Sequence, residues 1–416
     1  MADSNKDTGD NVHKPKSPPP SNLTRNMVIA SVFLTFLAYA AAVFTGEEAS
    51  KTPRDASLDL PPQSVFIDPK SFAVLGGTDK GFRESSFKSF FNPTSTAPPF
   101  FQVFDRRFLS ILGPNASIRE VAFNTTFAFA HEAPIYVSAT DEVFFGSNDG
   151  GPLGLSDLDN NNVIGKISLK DVDAAIAAND SAINVPVTIL DLPDTVQMTN
   201  GGTGPYRSSL LLITSGRGPR PPSIALVNPQ APHNVTVLLD NFFGRQFNSL
   251  NDIKVHPSGN LFFTDVVYGY LNHFRPEPLL PSQVYRFDPK TGTVRVVATD
   301  FDKPNGIAFS IDGEIAYIYA FDVDTRTHAF TNRRVFAYID AGVPDGLQVD
   351  LTGNVYSGCG DGVHVWDDKG TLLGKFFLGT VSANMVFAQP GRLVILAETK
   401  IFVADIAAAG LPSISP

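Results

Sequence analysis

The repeating unit of this chain is clearest in Asp345-Gly346-Leu347-Gln348-Val349-Asp350-Leu351-Thr352-Gly353-Asn354-Val355-Tyr356. A carboxylate opens it. Apolar and polar residues then alternate, a Gly-containing turn follows, and a second apolar run begins. That is a β-hairpin introduced by an acidic side chain. The pattern returns at Asn251–Asp265, Asn305–Tyr317 and Asn384–Val394, each time opened by an asparagine. An earlier copy opens at Glu132, and a looser one opens at Asn200 and resumes at Leu210-Leu211-Leu212-Ile213-Thr214. The four clear copies start 54, 40 and 39 residues apart. Periods of roughly 40–50 residues with several strands each mark propeller blades. Six starts predict an all-β fold, a six-bladed β-propeller. Trp366-Asp367 is the one Trp-Asp pair and no Gly-His partner recurs, so the WD40 type does not fit. Helical character is confined to a short Ala-rich stretch around Leu169 to Ala178.

Composition agrees. The chain has 416 residues, with 33 Gly, 32 Pro, 34 Phe and only 18% charged residues. Such a turn-rich, aromatic-rich chain is neither disordered nor a helical bundle. The formal charge of −10 repels phosphate backbones, which argues against a nucleic-acid partner. Cys359 is the sole cysteine, so no intrachain disulfide and no cysteine-based zinc site can form. It reads as a small packed residue.

The N-terminus reads as a targeting segment. Residues 1–26 are polar and basic, with the look of a disordered cytoplasmic tail. Residues 27–45 hold an apolar run without charge, Met27 to Phe44, near the length of a membrane span. It is either an uncleaved signal-anchor, a transmembrane helix tethering the chain to a membrane, or a signal peptide cleaved near Ala40. Basic residues before the run place the tail in the cytoplasm. Residues 46–64 form a linker, and 65–416 the propeller. Both readings put the propeller outside the cytosol, on a single-pass membrane protein or a secreted one. The sequons at Asn115, Asn124, Asn179 and Asn234 are compatible with this.

In a propeller, equivalent positions of successive blades converge on the central channel. Here they are Glu132, Asn200, Asn251, Asn305, Asp345 and Asn384. Two carboxylates and several amide oxygens around one axis suit one hard divalent cation, calcium or manganese rather than zinc. The competing reading is that Asn and Asp merely cap the turns before strands. Six such residues in register favour the cation. Other motifs carry less. Asp157-x-Asp159-x-Asn161 lacks the Gly and Glu of a calcium loop and reads as a polar loop. Among the histidines, His131 and His273 are candidates for the channel mouth, His273 as a substrate contact, and His256 is expected on a surface turn. No Gly-x-Ser-x-Gly elbow is present.

At these residues the chain resembles the SMP-30/gluconolactonase/lactonohydrolase family, and most closely its fungal lactonohydrolase branch. The resemblance rests on Glu132-Ala133-Pro134, Asn251-Asp252, Pro304-Asn305-Gly306 and Pro344-Asp345-Gly346, in order and at blade spacing. It extends through Thr264–Tyr270 and Gln283–Asp288. It implies a calcium-dependent lactonase with a small lactone of a sugar acid or related hydroxy acid as substrate, and no protein partner. Glu132, Asn251, Asn305 and Asp345 would hold the metal, and Asp345 would also be the catalytic base. Asn251, Asn200 and His273 would contact substrate. One departure is Ala133, where relatives often have Gly. The insertions at 148–200 and 266–283 would set selectivity. The alternatives are a paraoxonase-like esterase with the same metal logic and a non-catalytic propeller that binds a ligand or partner.

Overall fold

The computed structural model describes residues 59–73, 91–178, 182–317 and 319–414. The tail, the apolar run at 27–45 and the sequon at Asn179 lie outside them. Among the described residues no helix is long and apolar enough to cross a membrane.

Six sheets follow one another along the chain, antiparallel throughout except for one parallel pair at the outer edge of the fifth. Blade 1 holds Glu132–Val137, Glu142–Gly146, Ile164–Ser168 and Thr188–Ile189; blade 2 holds Thr199–Tyr206, Ser209–Thr214, Ser223–Val227 and Val235–Leu239. Blade 3 holds Leu250–Val255, Leu261–Asp265, Gln283–Asp288 and Thr293–Ala298; blade 4 holds Ala308–Phe309, Ile315–Tyr317, Ala320–Val323 and Phe330–Arg334. Blade 5 starts with Leu347–Val349 and blade 6 with Asn384–Phe387. The six innermost strands begin at or within a few residues of the starts read from the sequence. The short helix is also where its composition placed it, Leu169–Ala177, with the Ser168 hydroxyl accepting the Asp171 N–H as its N-cap.

The sequence pattern did not show how the ring closes. Blade 6 takes Arg392–Ala397 and Lys400–Asp405 from the C-terminal end, but its outer strand is Ser117–Phe123 from the N-terminal side. Blade 5 is extended likewise: Phe100–Val103 pairs antiparallel with Leu372–Phe377, and Ser64–Phe66 pairs parallel with Phe100–Val103. These shared strands tie the N-terminal side of the propeller to its last two blades.

The core is a set of seams between blades rather than one central mass. Side chains alternate across each strand, and in a blade both faces are covered by neighbours. The run Leu210-Leu211-Leu212-Ile213 therefore divides: Leu210 and Leu212 pack against blade 1, Leu211 and Ile213 against blade 3. Phe262 packs into the seam with blade 4, whereas Leu261 and Phe263 pack into the seam with blade 2. This is why these strands read as continuous apolar runs rather than as alternating ones. Cys359 is buried, as expected.

His256 departs from the surface position expected of it. Only 6% of it is exposed. Its Nε2 lies 2.9 Å from the Gly313 carbonyl of blade 4, and its ring packs on Phe262, Phe309 and His328. The turn that carries it is not free but is pressed against the next blade's hairpin.

Candidate active site

Each axial side chain sits at the start of an innermost strand, where the blades approach most closely. The residue after it faces the next blade's backbone or side chains. A Cβ on Gly306 would lie 2.2 Å from the Asp345 carbonyl oxygen, and one on Gly346 would lie 2.1 Å from Asn384 Cγ. The Asn-Gly and Asp-Gly pairs are thus a packing requirement of the axis. In blade 1 the corresponding residue is Ala133, held at φ +53°, the left-handed region that favours Gly.

Glu132 and Asp345, from blades 1 and 5, meet at the axis together with His131. Each brings one donor atom to within 4.8 Å of the others. Glu132 is 3% exposed and accepts the Asn384 amide at 2.7 Å through Oε2. Burial and the nearby Asp345 charge push the Glu132 carboxyl well above its ordinary range. Burial likewise pushes Asp345 up to about 6, against the pull of His131. His131 Nδ1 is paired with Glu398 at 2.7 Å. Burial opposes charge on the ring, but Glu398, Glu132 and Asp345 raise it to about 10. Asn148 Nδ2 donates to the other Glu398 oxygen at 3.1 Å.

The amides fall into two groups. Asn384 is used up within the protein, since its Nδ2 serves Glu132 and its Oδ1 accepts the Met385 N–H. Asn251 and Asn200 each keep a buried Oδ1 with no partner. Leaving such a carbonyl unsatisfied costs roughly 1–3 kcal/mol, so these atoms are suited to a bound group. The Asn305 amide faces both the Asp345 carboxylate and the Tyr268 phenol. Burial, with Asp345 nearby, pushes that phenol up to about 12. Asp252 is not part of the set: its Oδ2 accepts the Ile307 N–H of blade 4, tying the two inner strands together. The donor set Glu132, Asn251, Asn305 and Asp345 is all oxygen, with one buried and one half-buried carboxylate close together. That is the donor chemistry of a hard divalent cation.

His273 is exposed, at the end of the short helix Tyr268–Leu271 in the blade 3 insertion. Four residues at or near the site escaped the sequence: Glu398, Asn148, Asp149 and Tyr268. Glu398 sits in the hairpin between Arg392–Ala397 and Lys400–Asp405, and no motif marks it. Asn148 and Asp149 sat inside an Asn-Asp-Gly-Gly turn, and Tyr268 inside the Thr264–Tyr270 stretch already singled out. The inner strands also bound a second space, a cavity of about 470 Å³ lined by Pro134, Lys254, Ile311 and Gln348. It lies toward the other end of these strands, where Ser413 Oγ of the C-terminal segment donates to the Gly204 carbonyl.

The sequence model of the SMP-30/Gluconolactonase/LRE-like region matches residues 159–398, more than half of the chain. The chain belongs to this family. Among its relatives, lactonohydrolase oryL of Aspergillus oryzae is 26% identical over 338 residues, spanning 71% of each chain. A gluconolactonase from Xanthomonas campestris has the same fold, with a TM-score of 0.59 at 24% identity, over 76% of this chain and 96% of that one. A calcium-binding regucalcin from Agrobacterium tumefaciens matches with a TM-score of 0.50 at 18% identity, over 71% of this chain and 98% of that one. The SMP-30/gluconolactonase match begins after Glu132 and ends at Glu398. It thus takes in five of the six axial positions and the partner of His131.

Proposed function

We propose that the axial carboxylates and amides form the active site of a metal-dependent lactone hydrolase. The chain is a lactonase, a carboxylic ester hydrolase of its family. The observation that carries the site assignment is the meeting of buried Glu132 and half-buried Asp345 at the axis. Two ionised carboxylates held together there are unfavourable unless a proton or a cation joins them. Glu132, Asn251, Asn305 and Asp345 would hold that cation, and their all-oxygen character favours calcium or manganese over zinc. When bound, the cation polarises the lactone carbonyl and offsets the negative charge that develops on it.

The chain's own residues supply the rest. Asp345 accepts a proton from water, whose oxygen forms the new bond to the carbonyl carbon. The ring C–O bond breaks, and the proton held on Asp345 passes to the ring oxygen. In the metal-free site burial raises the Asp345 carboxyl to about 6; a bound cation would lower it again and keep it ionised, ready to accept the proton. Asn384 holds Glu132 in place, and Glu398 holds His131. Asn200, outside the ligand set, offers its carbonyl oxygen to a substrate hydroxyl. We further propose that the propeller works outside the cytosol, as the apolar run at 27–45 implies; the exposed side chains of Asn115, Asn124 and Asn234 are compatible with this.

The test is hydrolysis of glucono-, galactono- and pantolactone and an aryl ester, with calcium and after chelation. Lactone turnover that disappears with chelator and returns with calcium is expected. Turnover of none of them by folded, metal-loaded protein would sink the lactonase reading. Preference for the aryl ester would favour the esterase.

A further inference from the structure

Asp149 belongs to no motif, yet it is one of the most enclosed carboxylates near the axis, 7% exposed. It sits on the blade 1 loop between Glu142–Gly146 and Ile164–Ser168. That loop is held on both sides of it. Asn148 Oδ1 accepts the Gly151 N–H, and the Ser156 hydroxyl accepts the Gly150 N–H while donating to the Asn148 carbonyl. The Asn272 amide of the blade 3 insertion reaches the Asp149 carbonyl at 3.4 Å. Asp149 is therefore presented by a rigid frame.

Its two carboxylate oxygens are both engaged. Oδ1 accepts Asn200 Nδ2 at 2.9 Å, and Oδ2 accepts the Ser215 hydroxyl at 3.2 Å. An ionised carboxylate only accepts. Opposite Asp149, Asn200 can place its NH2 group but not its carbonyl. The amide cannot flip, and its Oδ1 is left as a buried acceptor without a partner. Asn200 occupies the blade 2 position equivalent to Glu132 and Asn251, so this acceptor belongs to the axial set.

We propose that Asp149 is a positioning residue: it fixes the Asn200 amide so that its carbonyl receives a ring hydroxyl of the lactone. This rests on the lactonase reading and adds to it the residue that holds one substrate contact in place; lactones that bear ring hydroxyls are the ones that should feel its loss.

The experiment compares two six-membered lactones, glucono-δ-lactone and δ-valerolactone, the second lacking hydroxyls. Asp149→Leu and Asn200→Ala should each lower kcat/KM for gluconolactone roughly ten-fold, the worth of one hydrogen bond, mainly through KM. Both should leave δ-valerolactone within about two-fold, well below one hydrogen bond. The double variant should be no worse than Asn200→Ala, because the two residues act as one unit. Asp149→Asn, which keeps an oxygen for Asn200, should recover most of the loss. Equal losses on both lactones, no loss on either, or losses that multiply in the double variant would overturn the proposal. Should Asp149→Leu lose its thermal transition, Asp149→Ser, polar but too short to reach Asn200, takes its place: it should lose gluconolactone selectivity as Asn200→Ala does, and unchanged selectivity would overturn the proposal. If wild type opens neither ring, the lactonase reading has failed, and calorimetric binding of gluconolactam, the ring amide, replaces turnover. Weaker binding in Asp149→Leu and Asn200→Ala then supports the positioning role. Unchanged binding, or none to wild type, overturns it.

Discussion

The Asn384 amide of blade 6 donates to the Glu132 carboxylate of blade 1 across 2.7 Å, so the side-chain ring at the axis closes where the chain's ring of blades closes. Two residues 252 positions apart thereby share one function. Asn384→Ala should leave the fold intact and weaken divalent-ion binding about 10- to 100-fold, the usual range for a group that orients a metal ligand. Calorimetric titration with calcium checks this. Unchanged affinity would mean that Glu132 needs no such support.

Gly346 guards the same contact. A methyl at this position would collide with the Asn384 side chain. Gly346→Ala should therefore push Asn384 off Glu132 and reproduce the metal defect of Asn384→Ala, with a further loss of stability of about 1–3 kcal/mol from overpacking. Chemical denaturation and calcium titration of the same sample separate the two effects.

Asp345→Asn keeps the shape of the side chain and removes the base. Turnover of lactone should fall by about 10²–10⁴-fold, the contribution of general base catalysis. Calcium binding should weaken as well, since a charged ligand is lost, so the rate is compared at saturating metal. A loss cured by added calcium would make Asp345 a ligand and nothing more.

The axial carboxylates make stability depend on pH in opposite senses with and without metal. Burial raises both Glu132 and Asp345, Asp345 to about 6, with His131, Glu398 and Asp252 also acting on the pair. A carboxyl raised on folding binds its proton more tightly when folded. Its stabilising effect is complete below the ordinary carboxylate range, near 4, and is lost as pH rises through about 6 for Asp345. For these groups the metal-free protein should therefore lose melting temperature between pH 4 and pH 7, a window set by Asp345. Saturating calcium competes with those protons, so its stabilisation should grow over the same window. Melting curves with calcium and with chelator, compared with Glu132→Gln, test this. Identical pH profiles with and without calcium would exclude these carboxylates as the ion's ligands.

The seams make a separate prediction about the fold. Phe263 is fully buried between blades 2 and 3, stacked on Tyr285 with ring centroids 5.3 Å apart. Phe263→Ala should cost about 3–5 kcal/mol by leaving a cavity that neighbouring strands cannot collapse into. Urea denaturation gives the value; a cost under about 1 kcal/mol would mean the seam is plastic.

The repeat is written into the residues, and with it the blade number, because a strand's side-chain period and a hairpin's turn residues are local properties. The axial positions of Glu132, Asn251, Asn305 and Asp345 follow for the same reason: each opens a hairpin at a recurring register. Which of these side chains are free depends on the folded ring. Asn384 and Asn200 look alike in sequence, but one is consumed by Glu132 and the other is held open by Asp149. Glu398, Asp149 and the outer strand Ser117–Phe123 carry no signal of their own. Their roles come from partners 267, 51 and about 280 residues away, the first and last brought together by ring closure and the middle one by the packing of blade 1 on blade 2. Burial, which raises Asp345 and leaves the Asn251 carbonyl unpaired, is likewise a property of the closed ring and not of any one blade.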